Sequence, residues 1–354
     1  MLTLLTYVHD IDPFLIEFGD AVPILPGGVR WYGLSYLAGF LVAWWLVRRI
    51  ARNIEHASAP LGSAERFTPH MAFDFVITCA IGVLVGGRFG YVLFYKIDLL
   101  WTFNASPPWW GALAINDGGM ASHGGIIGVA AATYIFHRRH KISWPFLMDL
   151  TAFTAPLGLC FGRIANFING ELYGREAPAD FSMAVKFPQE IFTDAWTTQQ
   201  RRELIEMLPG EMRSNVGGQP LEKMIDALQH GNEKIALLLD SPAVPLTARY
   251  PSQLYQAAME GLAVFIIGLI VWSVPRKPGI VGPIFLISYA VMRIIGEQFR
   301  QPDEHLGLQA LGLTRGQWLS VIMLGVGGFC LWFFGRKDTS KVPGWRGPIR
   351  TQGG

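Results

Sequence analysis

Arg88, Arg163 and Arg293 stand inside long apolar runs of the sequence, and so do His123 and Glu260. An ionisable side chain in such a setting is costly, so it is expected to have a function and a partner. A guanidinium offers a planar fork of N–H donors that matches two phosphate oxygens at once. An imidazole, whose ordinary pKa is about 6.5, suits proton transfer. Tyr289, Arg293 and Glu297 follow an i, i+4, i+8 spacing, which puts a phenol, a guanidinium and a carboxylate on one helical stripe. Arg163 and Asn166 share a face in the same way, and Asn169, Gly170, Glu171 and Gly174 follow where that helix must end. Any one of the arginines could be snorkelling or closing an internal ion pair. Three of them against Glu260 and Glu297 predict a surplus of positive charge that an anionic ligand would neutralise. The run Ser122-His123-Gly124-Gly125-Ile126-Ile127-Gly128 has no strand before it, so it does not read as a dinucleotide loop. Gly124, Gly125 and Gly128 are expected to let helices pack closely. His123 reads either as a structural hydrogen-bonding group or as a proton acceptor.

The elements that must position these residues follow from composition. Of 354 residues, 51% are apolar and 16% charged, against about a quarter charged in an ordinary soluble domain. The apolar residues gather in stretches of roughly 18 to 25, the length that crosses a bilayer core. The sequence therefore predicts an all-α polytopic membrane protein with spans near 29–50, 71–95, 119–136, 144–169, 253–274, 279–299 and 317–335. A net charge of +2 without a dense basic run excludes nucleic acid as a partner. Cys79, Cys160 and Cys330 lie in apolar stretches without ligand spacing, which excludes disulfide and zinc readings and leaves packing. Basic residues follow alternate spans, with Arg48, Arg49 and Arg52 after the first, Arg138 and Arg139 after the third, and Arg276 and Lys277 after the fifth. That asymmetry predicts an N-terminus outside and a cytoplasmic C-terminus. The first Lys or Arg is Arg30, so the first span is expected to remain in place as its own signal.

The predicted organisation is four spans over 1–169, a periplasmic cap over 170–250, three spans over 251–335, and a basic, unstructured cytoplasmic tail over 336–354. Stretches near 197–208 and 219–239 are amphipathic, as a small folded cap requires. In this topology Tyr32, Arg88, His123, Arg163, Glu260 and Arg293 all fall in the outer third of the membrane, the arginines about 10 Å below the ends of their spans. Asp74 and Asp149 fall near the cytoplasmic ends and read as helix-end or packing residues.

The motifs resemble those of the prolipoprotein diacylglyceryl transferase family over most of the membrane portion. The most specific piece is the run from Gly162 to Arg175, GRIANFINGELYGR. Arg30 to Leu34, Gly87 to Tyr91, His123-Gly124-Gly125, Pro251 to Tyr255 with Glu260-Gly261, and Tyr289 to Glu297 with Arg300 support it, in order. The family commonly has His before Pro-Ser-Gln-Leu-Tyr and Glu after it, where this chain has Tyr250 and Gln256, so no role is carried to those two positions. The resemblance implies a multi-pass enzyme of the bacterial inner membrane. It would move the diacylglyceryl group of phosphatidylglycerol to the lipobox cysteine of prolipoprotein signal peptides and release glycerol phosphate. It places Tyr32, His123, Arg163, Asn166, Glu171, Gly174, Arg293 and Glu297 among the important positions.

A thiol of pKa about 8.5 is mostly protonated at neutral pH, so His123 is the expected base. Arg163 and Arg293 are expected to bind the phosphate and stabilise its growing charge, with Arg88 as a third contributor. Asn166 and Glu171 would orient Arg163, Glu297 would hold Arg293, and Tyr32 and Tyr289 would hydrogen-bond the headgroup. No metal or cofactor is called for. The competing reading is a transporter or flippase that binds an anionic lipid with the same arginines and does no chemistry. The absence of an internal repeat weakens it.

Overall fold

The computed structural model describes residues 6–19, 27–103, 109–114, 119–178, 180–214, 218–301 and 314–348. The chain is mostly helical. The long helices are α1 (Trp31–Glu55), α2 (Met71–Tyr95), α3 (Ser122–His140), α4 (Trp144–Ile168), α10 (Val281–Gly296) and α11 (Arg315–Arg336). Between α4 and α10, a continuous helix Ser252–Val271 consists of α8 (Ser252–Gln256), a π-helical stretch Ala257–Ala263 and α9 (Val264–Val271). Among the described residues, five helices are long and apolar enough to cross a bilayer, namely α1, α2, α4, Ser252–Val271 and Gly316–Arg336. Two of the expected spans fall short of that measure. α10 has only 16 residues, and α3 is diluted by glycines at its start and by His137, Arg138, Arg139 and His140 at its end.

The all-α expectation needs amendment, because two small sheets are present among the described residues. Strands β1 (Tyr7–Val8), β4 (Val185–Lys186) and β5 (Ala248–Arg249) form one sheet in the order β1-β4-β5, with β1 parallel and β5 antiparallel to β4. Strands β2 (Phe14–Gly19) and β3 (Gly27–Arg30) form an antiparallel hairpin with irregular register.

The chain divides into two compact units. The first comprises Met1–Ala38, Gly158–Leu262 and Val291–Ser320. A hydrophobic core in it is made by α5 (Thr198–Met207), α6 (Pro220–Gln229) and α7 (Glu233–Asp240), where Leu204, Met224, Leu228, Ile235 and Leu239 are buried together with Leu208 just after α5. Each such side chain contributes roughly 1.5–3 kcal/mol. Capping fixes where these short helices start. Thr197 with Gln200 and Gln219 with Glu222 close capping boxes on α5 and α6, and the Asn232 side chain accepts from the first turn of α7.

The second unit comprises Gly39–Leu157, Ala263–Ala290 and Val321–Gly354. Phe67, Phe75, Phe146, Phe153, Trp272 and Ile50 lie in its core. Gly82 and Gly86 of α2 face Gly124 and Gly128 of α3 so closely that a Cβ on Gly128 would meet the Gly82 carbonyl and one on Gly124 the Gly86 carbonyl. Gly125 points elsewhere, with Val83 atoms no nearer than 3.8 Å to an added Cβ. Small residues four apart thus bring two helix backbones together where lipid gives no hydrophobic drive. The Asp149 carboxylate accepts from Gly279 N at 2.6 Å and Gly282 N at 2.7 Å, satisfying main-chain donors at the start of α10.

The tail expectation is corrected over the described part. Val342 is buried and pairs with Arg276, Trp345 Nε1 donates to the Leu269 carbonyl at 2.7 Å, and Asn53 donates to the Gly344 carbonyl at 2.7 Å. Composition suggested disorder because the tail is basic and glycine-rich. Its Val-Pro-Gly-Trp segment is apolar and docks. Residues 349–354 lie outside the described residues.

Candidate active site

In the first unit the end of α4 is the organising feature. Gly170 takes a positive φ of +67°, Leu172 follows at +54°, and Glu171 N donates to the Asn166 carbonyl at 3.0 Å. The helix therefore ends in a left-handed turn of the kind glycine favours. With its amide nitrogen turned inward, Asn166 donates to Glu171 Oε1 and to the Gly162 carbonyl, both at 3.2 Å. Asn169 Nδ2 reaches the same Glu171 oxygen at 3.4 Å, and Gln253 Nε2 holds the Glu171 carbonyl at 2.7 Å. Tyr32, in the first turn of α1, lies within reach of the charges of Glu171 and Arg163.

Gly174 sits where two other segments pass. Its N–H donates to the Tyr250 carbonyl at 3.0 Å, and an added Cβ would lie 2.5 Å from the carbonyl oxygens of both Tyr250 and Phe299. No side chain fits there without moving main chain. Behind it lies Arg249, which sequence reasoning missed. Its guanidinium grips Glu190 through two bonds, Nε to Oε2 at 3.1 Å and NH2 to Oε1 at 2.6 Å. It also donates to the Gly174 carbonyl at 3.3 Å and to Gln301 Oε1 at 3.0 Å, and its Cζ lies 4.9 Å from the Tyr173 ring centroid. The Arg249 pKa is raised: burial is the largest single influence and lowers it, but the hydrogen bond and charge of Glu190, with the charges of Tyr173 and Glu176, together outweigh it. The one sequence signal for this pair was its position in a long polar segment, where charges are ordinarily solvated.

One turn beyond Cys160, Arg163 meets the buried Glu260, with NH2 3.8 Å from Oε2. Arg293 of α10 reaches the other Glu260 oxygen, NH1 to Oε1 at 3.0 Å, and its NH2 lies 3.2 Å from Glu297 Oε2. The i, i+4 spacing of Arg293 and Glu297 thus becomes a pair. Thr314 Oγ1 donates to Glu297 Oε1 at 2.9 Å. Glu260 and Glu297 are almost fully buried, whereas the Arg163 and Arg293 side chains keep 19% and 12% exposure. A buried ion-paired network of this kind is tolerable only when its members satisfy one another. Within this unit the ion pairs join two arginines to two glutamates.

In that second unit Arg88 is 3% exposed and donates to the carbonyls of Ala112 at 2.9 Å, Gly119 at 3.2 Å and Gly111 at 2.6 Å. It therefore braces the segment that leads into α3. His123 stands exposed in the first turn of that helix, after Ala121, whose N–H donates to the Gly87 carbonyl at 2.9 Å. Tyr289 also belongs to this unit, its ring stacked on Phe285 at 5.8 Å. The structure therefore gathers Tyr32, Arg163, Asn166, Glu171, Gly174, Arg293 and Glu297 in one unit, and Arg88, His123 and Tyr289 in the other.

Apolar helices long enough to cross a bilayer, with ionisable side chains paired among them, define a multi-pass membrane protein. The family described as prolipoprotein diacylglyceryl transferase matches residues 20–333. A phosphatidylglycerol–prolipoprotein diacylglyceryl transferase of Bdellovibrio bacteriovorus is 42% identical, over 96% of this chain and 97% of its own. Proteins of the same name from Neisseria gonorrhoeae and Rhodospirillum centenum are 38% and 37% identical, covering 91% and 96% of this chain and 95% and 94% of theirs. The chain belongs to the prolipoprotein diacylglyceryl transferase family.

Proposed function

We infer that this protein is a transferase that moves the diacylglyceryl group of phosphatidylglycerol to prolipoproteins, the activity its relatives are named for. The acceptor is the lipobox cysteine. Its sulfur attacks the glyceryl carbon that bears the phosphate, a C–S bond forms, and the C–O bond breaks. The electron pair of that bond leaves with glycerol phosphate. His123, an exposed imidazole at the start of α3, takes the thiol proton. Arg163 and Arg293 hold the phosphate and stabilise the charge that grows on it. Asn166 and Glu171 set the end of α4 that carries Arg163, Glu297 steadies Arg293, and Arg88 braces the approach to His123. Tyr32 and Tyr289 hydrogen-bond the lipid headgroup. Gly174 keeps its loop closed against the segments at Tyr250 and Phe299.

The observation that carries this reading is that guanidiniums from two helices, α4 and α10, converge on the single carboxylate of Glu260. Two adjacent planar forks suit a tetrahedral phosphate better than a point charge would. The protein spans the bacterial inner membrane seven times, with a periplasmic N-terminus and cap and a cytoplasmic C-terminus. Turnover of defined lipids tests the headgroup assignment. Phosphatidylglycerol should be consumed, while zwitterionic phosphatidylethanolamine, whose ammonium would face the arginines, should not. Equal turnover of both would contradict it.

A further inference from the structure

Glu260 lies on a seven-residue π-helical stretch, Ala257–Ala263, inside an otherwise α-helical span. A π turn inserts a residue into the helical register, and its local cost is usually kept only where a side chain must be re-aimed. Two glycines fit the stretch into its surroundings. At Gly261 an added Cβ would stand 2.5 Å from Cys160 Cβ and 2.7 Å from Cys160 Cα, so the π turn lies directly on the α4 backbone. That approach puts Glu260 beside Arg163, one turn along α4 from Cys160. At Gly296 an added Cβ would stand 3.4 Å from Glu260 Oε1, within ordinary contact, so the end of α10 passes close beside the carboxylate. Glu260 is 0% exposed, and its two oxygens serve two different arginines.

We propose that Glu260 is the positioning residue of the transfer reaction, a fully buried carboxylate that sets the separation and orientation of Arg163 and Arg293 without itself touching substrate. This rests on the reading of those two arginines as the phosphate clamp. The charge arithmetic separates positioning from simple attraction. Replacing Glu260 by Gln leaves the cluster one unit more positive, which favours an anionic lipid in the ground state. It also frees the two guanidiniums from their shared anchor, and a misplacement of about 1 Å can lower a rate about 100-fold. The defect therefore belongs in kcat.

The test uses the full-length protein in detergent micelles, with kcat and KM for phosphatidylglycerol measured at saturating lipobox peptide and the thermal midpoint recorded alongside. For Glu260→Gln, kcat should fall about 100-fold while KM stays the same or drops. Glu260→Asp keeps the charge but draws it back by one methylene, and should recover part of kcat. If Glu260→Gln does not fold, Glu260→Asp alone decides, by a fall in kcat at unchanged KM. A kcat within about threefold of the native protein in the folded variant would overturn the proposal, as would a raised KM at native kcat. Arg163→Lys and Arg293→Lys serve as controls. If they turn over normally, the clamp reading fails, and a kcat defect at Glu260 then has some other origin.

Discussion

At the residue scale, Arg163 combines partial exposure with a buried counter-charge, as a side chain must if it is to be held in place and still meet a ligand. Arg163→Lys keeps the charge and loses the fork. Removing one such contact to a growing charge costs about 2.7–4 kcal/mol, or 10² to 10³ in turnover, measured on protein shown to be folded. Near-native turnover would make Arg163 a diffuse charge or a packing element. His123→Gln removes the proton acceptor and should lower the rate by roughly 10² to 10⁴. That defect should shrink as pH approaches the thiol pKa of about 8.5, because the acceptor is then already ionised. A defect constant across pH would assign His123 to positioning.

His9 offers a separate pH test. It is buried, edge-on to Phe167 at 5.3 Å and tilted to Phe187 at 5.4 Å, and burial lowers its pKa below 6.5. The unfolded chain therefore binds a proton more readily than the folded one. The stability His9 confers is complete above about pH 6.5 and is lost as pH falls toward the folded pKa. Thermal midpoints of the native protein should drop below pH 6.5, and His9→Phe should flatten that slope. An unchanged slope would show that other groups set it.

At the element scale, the glycine seam between α2 and α3 makes an asymmetric prediction. Gly128→Val forces a side chain into the Gly82 carbonyl and should destabilise by about 1–3 kcal/mol, read as a lowered thermal midpoint. Gly162→Ala, inside α4 with open space around its Cβ position, should leave stability unchanged or raise it by up to about 1 kcal/mol. Equal effects would mean that the seam is not a tight contact. Much at this scale was legible from sequence, because helix period and apolar length are local properties. The Arg293–Glu297 spacing follows directly, as do the amphipathic stretches near 197–208 and 219–239, where helices run over 198–207, 220–229 and 233–240. The sequence did not reveal that Gly125 points away from the seam, that 341–345 docks, or that Arg249 closes on Glu190 across 59 positions. Each depends on contacts remote in the chain, and composition carries no information about them. The π stretch was invisible for a related reason. It coincides with the close approach of Gly261 to Cys160, a packing fact rather than a propensity.

At the scale of the whole molecule, the Lys/Arg asymmetry predicts which side of the membrane each loop faces. A reporter active only in the cytoplasm should work when fused to the C-terminus and be silent when inserted at Gly231, in the turn between α6 and α7. The reverse pattern would place the segment that follows α4 in the cytoplasm, away from the outer leaflet where the lipid donor and exported acceptor are expected to meet. The central claim is group transfer, and the most direct measurement is the mass of the acceptor. Purified protein is incubated with phosphatidylglycerol of one defined acyl composition and a lipobox peptide, and the peptide is then weighed and fragmented. The expected product has gained one diacylglyceryl group of that composition on the cysteine sulfur, with glycerol phosphate released in equal amount. A peptide of unchanged mass under conditions where the protein still binds the lipid would contradict the account and leave a lipid carrier in its place.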